Sequence, residues 1–202
     1  MQALEHTDKL AHHFHIAVMG YESIHEFMDL QETVWNALDD NKKHHLKRRT
    51  VDDLIEHLET GMPIIGVRND AGNLVAHCLL TDGQAGGGMK YLEGYPLEAL
   101  NGKTAVIQSL STHPEFKGLG LAGMIMTKSK EVAEGRQFGR LLAKVAEDNT
   151  VSKSSFLKNG FQKSSAGLDP VKGYAVSYLS YQLAEKAELV GDAGCDGNGF
   201  NL

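Results

Sequence analysis

The chain has 202 residues, of which 42% are hydrophobic and 23% are charged, and its formal net charge is −6. This length suits one globular domain, and the acidic balance argues against a general nucleic-acid-binding protein, which normally has a basic surplus. No segment approaches 18 consecutive apolar residues, and two distant cysteines, Cys78 and Cys195, make no disulfide framework, so we expect a cytoplasmic protein without a membrane partner.

The first elements along the chain are a strand and a helix. The apolar run from Phe14 to Met19 predicts a short buried strand. Ser23 and Glu26 have the spacing of a capping box, in which each side chain satisfies a backbone donor at the start of a helix. Apolar residues at helical spacing follow, so we predict a helix from about residue 24 to residue 38.

A second helix and a β-hairpin come next. Thr50 and Asp53 repeat the capping-box spacing, and Gly61 marks the end of the helix that follows them. A turn rich in Asn and Gly then separates two apolar runs, which predict hairpin strands at residues 63–68 and 74–81. Residues 82–102 are polar and glycine-rich, so we predict a long connection that forms no packed element.

The second half of the chain predicts a strand–helix–strand crossover. Residues 104–112 form the first strand, a glycine-bearing turn leads into the helix, and residues 141–146 form the second strand. A short helix at 151–158 and two further strands, one beginning at Phe161 and one spanning 174–183, complete the pattern.

The chain therefore divides into a domain and a tail. We predict one domain over residues 1–183 and a flexible C-terminal tail over residues 184–202, which are rich in Gly and Asp and have no periodicity. The basic run at residues 42–49 indicates a solvated helix end or linker, with a docking patch for an acidic partner or for phosphates as the alternative. His12, His13 and His15 lack further ligands nearby, so we predict surface or strand residues there and no metal site.

The most informative segment is the glycine-bearing turn, Lys117-Gly118-Leu119-Gly120-Leu121-Ala122. A turn of this kind leaves backbone N–H groups unpaired at the positive end of the helix dipole, which suits a pyrophosphate. Gly118 and Gly120 also lack the Cβ atoms that would obstruct a close approach.

Residues 118–123 also match the dinucleotide-binding pattern G-x-G-x-x-G, with Glu147 or Asp148 as the acidic residue that would bind the ribose. The surrounding sequence argues against this interpretation. Residues 113–117 separate the strand from the first glycine, and too little chain follows Asp148 to complete a doubly wound sheet.

Two motifs carry a resemblance to a known family. Lys117-x-x-Gly120-x-Ala122 resembles the R/Q-x-x-G-x-G/A motif of the GNAT superfamily of N-acetyltransferases, with Lys in place of the usual Arg or Gln. The segment from Asn149 to Phe161 is similar to the later motif of that family, in which an Asn precedes a short helix and Gly-Phe enters the next strand. The resemblance implies a mixed α/β GNAT acyl-CoA N-acyltransferase fold, whose central sheet splays between two parallel strands and has helices on both faces.

The resemblance also implies acetyl-CoA as the acyl donor and direct attack on the thioester by a primary amine of a small molecule or peptide. As noted above, we expect no metal. The strand before the turn would pair with the pantetheine through its backbone, the turn would wrap the pyrophosphate, and a backbone N–H near Leu110 would face the acetyl carbonyl. Many relatives form homodimers, which the apolar last strand would allow. The implied binding residues are Leu110, Ser111, Thr112, Lys117, Gly118, Leu119, Gly120, Leu121, Ala122, Asn149 and Phe156.

The sequence departs from the family at the catalytic positions. Phe156 stands where many relatives have a Tyr that is a proposed proton donor, and the strand before the turn lacks the Glu that often serves as the base. The catalytic residues are therefore left unassigned. Gln108 or Ser109 as water-ordering groups, and His77 as a proton-transfer group, are candidates beside plain structural roles. A non-catalytic CoA-binding module, serving as a sensor or partner domain, is the alternative function. The acidic net charge slightly favours a cationic acceptor.

Overall fold

The computed structural model describes residues 14–85, 92–95, 100, 102–170 and 172–184. Within these residues, strands and helices follow the predicted order, with short 3-10 turns at Tyr21–Ser23, Asp40–His45 and Pro114–Phe116. The elements are β1 (Phe14–Met19), α1 (Ile24–Asn36), α2 (Val51–Glu59), β2 (Ile64–Asn69), β3 (Leu74–Asp82), β4 (Thr104–Thr112), α3 (Leu121–Gly135), β5 (Arg140–Ala146), α4 (Thr150–Lys158), β6 (Gln162–Leu168) and β7 (Ala175–Gln182).

The seven strands form one mixed sheet in the order β1-β2-β3-β4-β5-β7-β6. Every neighbouring pair is antiparallel except β4 and β5, which are parallel, as the crossover pattern predicts. These two strands pair only at their beginnings, where residues 104–106 lie beside residues 140–142. Both strands continue beyond this point on their outer neighbours, so they separate in the middle of the sheet.

Helices cover both faces of the sheet, which confirms the predicted fold class. On one face, α3 and α4 bury Ile125, Met126 and Phe156 against the strands in the main core cluster. On the other face, α1 and α2 bury Phe27 and Leu54 in a second cluster. The two helical layers hold the diverging strands from both sides, and the sequence forms them because each helix carries its apolar residues on one stripe.

The start of α1 differs from the prediction. Ser23 is the residue that precedes the helix, but its side chain makes no capping hydrogen bond. Instead, Arg68 on β2 donates to Ser23 Oγ at 3.3 Å and to Glu26 Oε1 at 2.7 Å. The predicted capping box is therefore wrong, because a charged partner from another element binds both of its side chains. The helix also ends at Asn36 and not at residue 38.

The start of α2 agrees with the prediction. Thr50 Oγ1 accepts from the backbone of Asp53 at 3.1 Å, and the Asp53 carboxylate accepts from the backbone of Thr50 at 2.9 Å. This reciprocal pair is the predicted capping box. It fixes the point at which the basic run ends and α2 begins.

The connection after β3 is more packed than predicted. Leu92 and Tyr95 are buried, and they form a third core cluster with residues of β4, β5 and β7 that include Val106 and Tyr178. Their apolar side chains cover the part of the sheet that α1 and α2 leave open. The three successive glycines of this connection, and the predicted tail apart from Ala184, lie outside the described residues.

Within the described part of the chain, no helix combines the length and the apolar character needed to cross a membrane.

Candidate functional site

A cavity of about 330 Å³ lies where β4 and β5 separate. Residues 106–110 of β4 form one wall and residues 143–146 of β5 form the other. The segment between α1 and α2 and the segment between β6 and β7 close the sides. The remaining lining residues are His44, His45, Leu46, Lys47, Arg49, Asn149, Ser152, Phe156, Asp169, Lys172, Tyr174 and Val176.

The β4 wall contains a β-bulge at Ser109. His77 pairs with Ser111 and Leu79 pairs with Gln108, so three steps along β4 match two steps along β3. Ser109 has φ 49°, in the left-handed region that residues other than glycine seldom adopt. Bulges and strained residues of this kind are common at binding and catalytic sites, where they redirect the chain.

Arg49 connects the segment between α1 and α2 to this bulge. Its side chain is buried, with 6% of the residue exposed, and its Nε donates to Ser109 Oγ at 3.3 Å while Nη2 donates to Gln108 Oε1. The backbone of Arg49 is held by Gln31 of α1, which accepts from the Arg49 N–H at 2.6 Å and donates to its carbonyl at 3.0 Å. The guanidinium is therefore fixed in the cavity wall beside β4.

The contacts of Arg49 also involve Gln108 and Ser109, the two residues considered above as groups that could order a water molecule. Both residues line the cavity, as that role requires. However, Gln108 accepts from Arg49 and donates to Thr81 Oγ1 at 3.0 Å, so both ends of its amide contact protein. Ser109 Oγ likewise accepts from Arg49. Their observed contacts position the guanidinium and the bulge.

His44 and His45 form another wall of the cavity, and they contact Asp148, which does not line it. We call these three residues the histidine cluster. His44 Nε2 is 3.1 Å from Asp148 Oδ1 in hydrogen-bond geometry. His45 Nε2 is 2.9 Å from the same oxygen, but the contact is off the N–H axis and is electrostatic only. The His45 side chain is 10% exposed and the His44 side chain 31% exposed.

The two imidazoles of the cluster stabilise the ionised form of the Asp148 carboxyl. Burial opposes ionisation of Asp148, but its contacts with His44 and His45 outweigh this and lower the pKa of the carboxyl. Tyr174 packs against the His44 ring, with 5.0 Å between ring centroids, and donates to the His44 carbonyl at 3.4 Å. The cluster is thus an ionised carboxylate that holds two imidazoles at the cavity wall.

The histidine cluster is also the one group of three metal-ligating side chains close enough to share an ion among the described residues. Its ligand atoms lie within 4.8 Å of one another. The observed Nε2–Oδ1 distances are those of direct contacts between imidazole and carboxylate. The expectation that the protein uses no metal stays a prediction.

The predicted phosphate-binding turn leads from β4 into α3. Gly118 and Gly120 both have φ 81°, so this backbone path requires residues that tolerate the left-handed region. Among the described residues, the N–H groups of residues 118–122 make no backbone hydrogen bond, whereas those of Gly123 and Met124 bond to the Gly120 carbonyl. Five consecutive amides at the start of a helix are therefore available to an anion.

The other predicted binding residues fall into two groups. Leu110, Asn149 and Phe156 line the cavity, and Asn149 Oδ1 also caps α4 by accepting from the Ser152 N–H at 3.2 Å. Ser111 and Thr112 lie further along β4, on the path toward the turn, and do not line the cavity. Residues 117–122 likewise lie outside it, beyond the end of β4.

Two residues on β3 are unsuited to proton transfer or nucleophilic attack. His77 is fully buried and stacks on Phe27 with 3.8 Å between ring centroids, and burial lowers its pKa to about 3. Its burial and its absence from the cavity lining argue against His77 as the proton-transfer group. Burial also raises the pKa of Cys78 to about 12, so its thiol stays protonated beside Ser129.

Sequence reasoning missed Arg49 and the histidine cluster. The basic run that contains Arg49, His44 and His45 has the composition of a solvated segment, yet Arg49 is buried and both histidines line the cavity. The one available signal was position, because Arg49 directly precedes the capping box of α2. Its pairing with Gln31 and with β4 connects residues distant in the sequence, which spacing does not reveal.

Comparison with known proteins agrees with this architecture. The model of the acetyltransferase (GNAT) family matches residues 24–161, more than half of the chain. A search of curated protein sequences finds no significant match. Among solved structures, the chain resembles the ribosomal-protein-S18-alanine N-acetyltransferase from Escherichia coli, with 10% identity, a TM-score of 0.63, and coverage of 88% of this chain and 98% of that one.

Two further structures have the same fold. An N-acetyltransferase from Staphylococcus aureus has 15% identity and a TM-score of 0.61, with 85% of this chain and 99% of that chain covered. A GNAT superfamily phosphinothricin acetyltransferase from Sinorhizobium meliloti, solved in complex with acetyl-CoA, has 11% identity and a TM-score of 0.63, with 86% and 90% covered. The family match, the splayed parallel strands and the turn with free amides lead to one conclusion: the chain belongs to the GNAT acetyltransferase family.

Proposed function

We propose that the protein is an acetyl-CoA-dependent N-acetyltransferase, in which a primary amine attacks the thioester directly in the cavity between β4 and β5. The observation that carries the proposal is the pairing of this cavity with the five free amides of residues 118–122. One site suits the reacting end of acetyl-CoA, and the other suits its diphosphate. Both lie at the C-terminal end of β4, so a single extended molecule can reach them.

Each predicted binding residue has a place in this proposal. The backbone of Leu110, Ser111 and Thr112 would pair with the amides of the pantetheine arm. The turn from Lys117 to Ala122 would hold the diphosphate through its main chain, so that replacing the usual Arg or Gln by Lys costs little. Asn149 uses Oδ1 to cap α4, which leaves Nδ2 to donate to the arm. Phe156 would lie beside the sulfur as an apolar wall.

The reaction forms a bond between the amine nitrogen and the acetyl carbon, and it breaks the bond between that carbon and the sulfur. Acetyl-CoA supplies an activated acyl group with a thiolate that leaves readily. The protein contributes the position of the two reactants, which accounts for much of the acceleration in such transfers. Phe156 donates no proton, so the thiolate would leave as such or take a proton from solvent.

The nitrogen loses a proton during the transfer, and the histidine cluster is the group that we propose receives it. His44 and His45 line the cavity, and their Nε2 atoms face Asp148. In His44, whose Nε2 is in hydrogen-bond geometry with Asp148, Nδ1 is then the nitrogen left to accept a proton. Asp148 would hold the rings in place and stabilise the imidazolium that forms.

A second function is favoured by the departures from the family motif. Because a tyrosine at position 156 and a glutamate on β4 are absent from the sequence, the chain would also suit a CoA-binding sensor or partner domain without catalysis. A homodimer, a cytoplasmic location and the absence of nucleic-acid partners stay predictions.

The test is release of the CoA thiol from acetyl-CoA in the presence of a panel of primary amines, together with acetyl-CoA binding by calorimetry. We expect CoA release that depends on the added amine. Binding without amine-dependent release would favour the sensor module. If the folded protein neither binds acetyl-CoA nor releases CoA, both functions are contradicted.

A further inference from the structure

The lining of the cavity contains more positively charged than negatively charged side chains. Lys47, Arg49, Lys144 and Lys172 line it, and Asp169 is the one carboxylate among the described lining residues. Asp169 contacts Lys144 at 2.9 Å. The chain as a whole has a net charge of −6, so the cavity has the opposite sign to the rest of the protein.

Arg49 is the most constrained of these cations. It is 6% exposed, its backbone is held at both N–H and carbonyl by Gln31, and its guanidinium contacts Gln108 and Ser109 at the bulge. Burying and ordering a charged side chain is energetically unfavourable. In return, a planar cation lies beside the part of β4 that would face the thioester. A guanidinium is the side chain best suited to bind a carboxylate with two parallel hydrogen bonds.

From this arrangement we infer that the acceptor is a small amine that also carries a carboxylate a few bonds away, as an α-amino acid does. The inference rests on the proposed acetyltransferase function and specifies its substrate class. Arg49 would bind the carboxylate, and the amine would then lie between the thioester and the histidine cluster. The cavity of about 330 Å³ would also hold the reacting end of acetyl-CoA, so the space left suits only a small acceptor.

The local charge therefore opposes the cationic acceptor that the net charge suggests. An acceptor with a second positive charge would meet Arg49 in a wall with little access to water, where like charges repel strongly. Steering by the protein's overall charge acts at long range and is screened by salt. The charges of the side chains that contact the acceptor should therefore decide its selection more than the net charge of the protein does.

The competing interpretation makes Arg49 a structural clamp that only connects the segment before α2 to β4. The two interpretations differ in what they predict for the carboxylate. A clamp would support the acetylation of all amines equally, whereas a carboxylate-binding residue would favour acceptors that have one.

The experiment uses matched pairs of acceptors that differ only in the carboxylate: L-phenylalanine and phenethylamine, L-methionine and 3-(methylthio)propylamine, and L-lysine and cadaverine. Release of CoA from acetyl-CoA gives kcat/KM for each. We expect the carboxylated member of at least one pair to exceed its partner by about tenfold or more, the effect of one charge-assisted contact. In Arg49→Gln this ratio should fall to about one, and in Arg49→Lys it should be intermediate.

Arg48→Gln is the matched control. Arg48 is the neighbouring residue, its side chain is 47% exposed and contacts Glu32 and the Trp35 ring, and it does not line the cavity. This variant should keep the wild-type ratio. The ratio is measured within one protein, so partial unfolding of a variant lowers both members of a pair and leaves the ratio unchanged.

The outcomes separate the two proposals. Equal rates, or a preference for the decarboxylated amines in the wild-type protein, overturn the carboxylate inference while leaving the acetyltransferase function intact. A preference that persists in Arg49→Gln overturns the assignment to Arg49. If no amine of any class promotes release of CoA, the proposed function itself fails, and the inference fails with it.

Discussion

At the scale of single residues, the proposed proton acceptor is the histidine cluster, in place of the Tyr and Glu that the family motif lacks in this chain. His44 and His45 belong to a 3-10 turn, and both imidazoles contact Asp148, which lies two residues beyond the end of β5. The carboxylate at position 148 has a lowered pKa, so it stays ionised at neutral pH and can stabilise a protonated imidazole.

Replacing His44 and His45 together by Ala should lower kcat by about 100-fold or more, because the amine would lose its proton acceptor. Added imidazole should restore part of the activity by entering the space that the side chains vacate. The measurement is kcat for the best acceptor of the amine panel, with and without imidazole. His15→Ala is the control, because His15 lies on β1 beside Asp70, away from the cavity.

A loss of activity without any effect of imidazole, at an unchanged melting temperature, would indicate that the histidines only shape the cavity. An unchanged kcat would show that the proton leaves by another route.

His77 makes the stability of the fold depend on pH. Burial lowers its pKa from 6.5 to about 3, so between these pH values the unfolded chain binds a proton that the folded protein does not. The free energy of unfolding should therefore fall as the pH decreases below about 6.5, by up to about 1.4 kcal/mol per pH unit from this residue. The full stability should be present above that pH.

Urea denaturation at pH 7, 6, 5 and 4 measures this dependence. The free energy of unfolding should depend less steeply on pH in His77→Phe, which keeps a ring stacked on Phe27 and removes the titrating group. His15→Gln, at an exposed position, should keep the wild-type slope. An identical slope in His77→Phe and wild type would assign the acid sensitivity to other groups.

At the scale of elements, the two capping-box patterns have different outcomes. Thr50 and Asp53 form the box at α2, whereas Ser23 and Glu26 are bound by Arg68. Thr50→Ala should lower the free energy of unfolding by about 1 kcal/mol, since an N-terminal donor loses its acceptor. Ser23→Ala removes no cap and should cost less than about half as much.

Chemical denaturation of the two variants at neutral pH measures both values. Equal losses for Thr50→Ala and Ser23→Ala would mean that the contact between Ser23 and Arg68 stabilises α1 as much as a cap does.

The order and type of the elements were predictable because each element carries its own periodicity. The helix stripes, the hairpin turn and the alternation of β7 are local properties of the sequence. The bulge at Ser109 was not predictable, because it depends on how β4 pairs with β3. The burial of Leu92 and Tyr95 was not predictable either, because it depends on a gap that the other elements leave on the sheet.

In the candidate site, too, the local sequence motifs were predictable and the contacts between distant segments were not. The turn at Lys117–Ala122 and the residues Asn149 and Phe156 lie in motifs with fixed spacing, and they are the parts that sequence alone identified. Arg49 and the histidine cluster join segments that meet only after the strands diverge. Their composition was visible, but their partners were not.

At the scale of the whole molecule, the proposed binding of acetyl-CoA is divided between two places in the fold. Among the described residues, the N–H groups at the start of α3 make no backbone hydrogen bond, and the separated ends of β4 and β5 enclose a cavity with a positive wall. An extended cosubstrate that bridges them would leave its reactive end beside the acceptor. Binding at the first of these places is essential to the proposed reaction, because without a held diphosphate the thioester would have no fixed position.

Calorimetry with acetyl-CoA tests this claim most directly, using Gly118→Ala and Gly72→Ala as a matched pair. Both glycines have a left-handed φ, 81° and 83°, and an added Cβ at either would meet nothing within 4 Å, so the backbone strain is the same. Only Gly118 lies in the turn. We expect wild type and Gly72→Ala to bind equally, and Gly118→Ala to bind about tenfold or more weakly, because the methyl group would occupy the approach of the diphosphate. Absence of binding by the folded wild-type protein, or equal binding by both variants, would contradict the account.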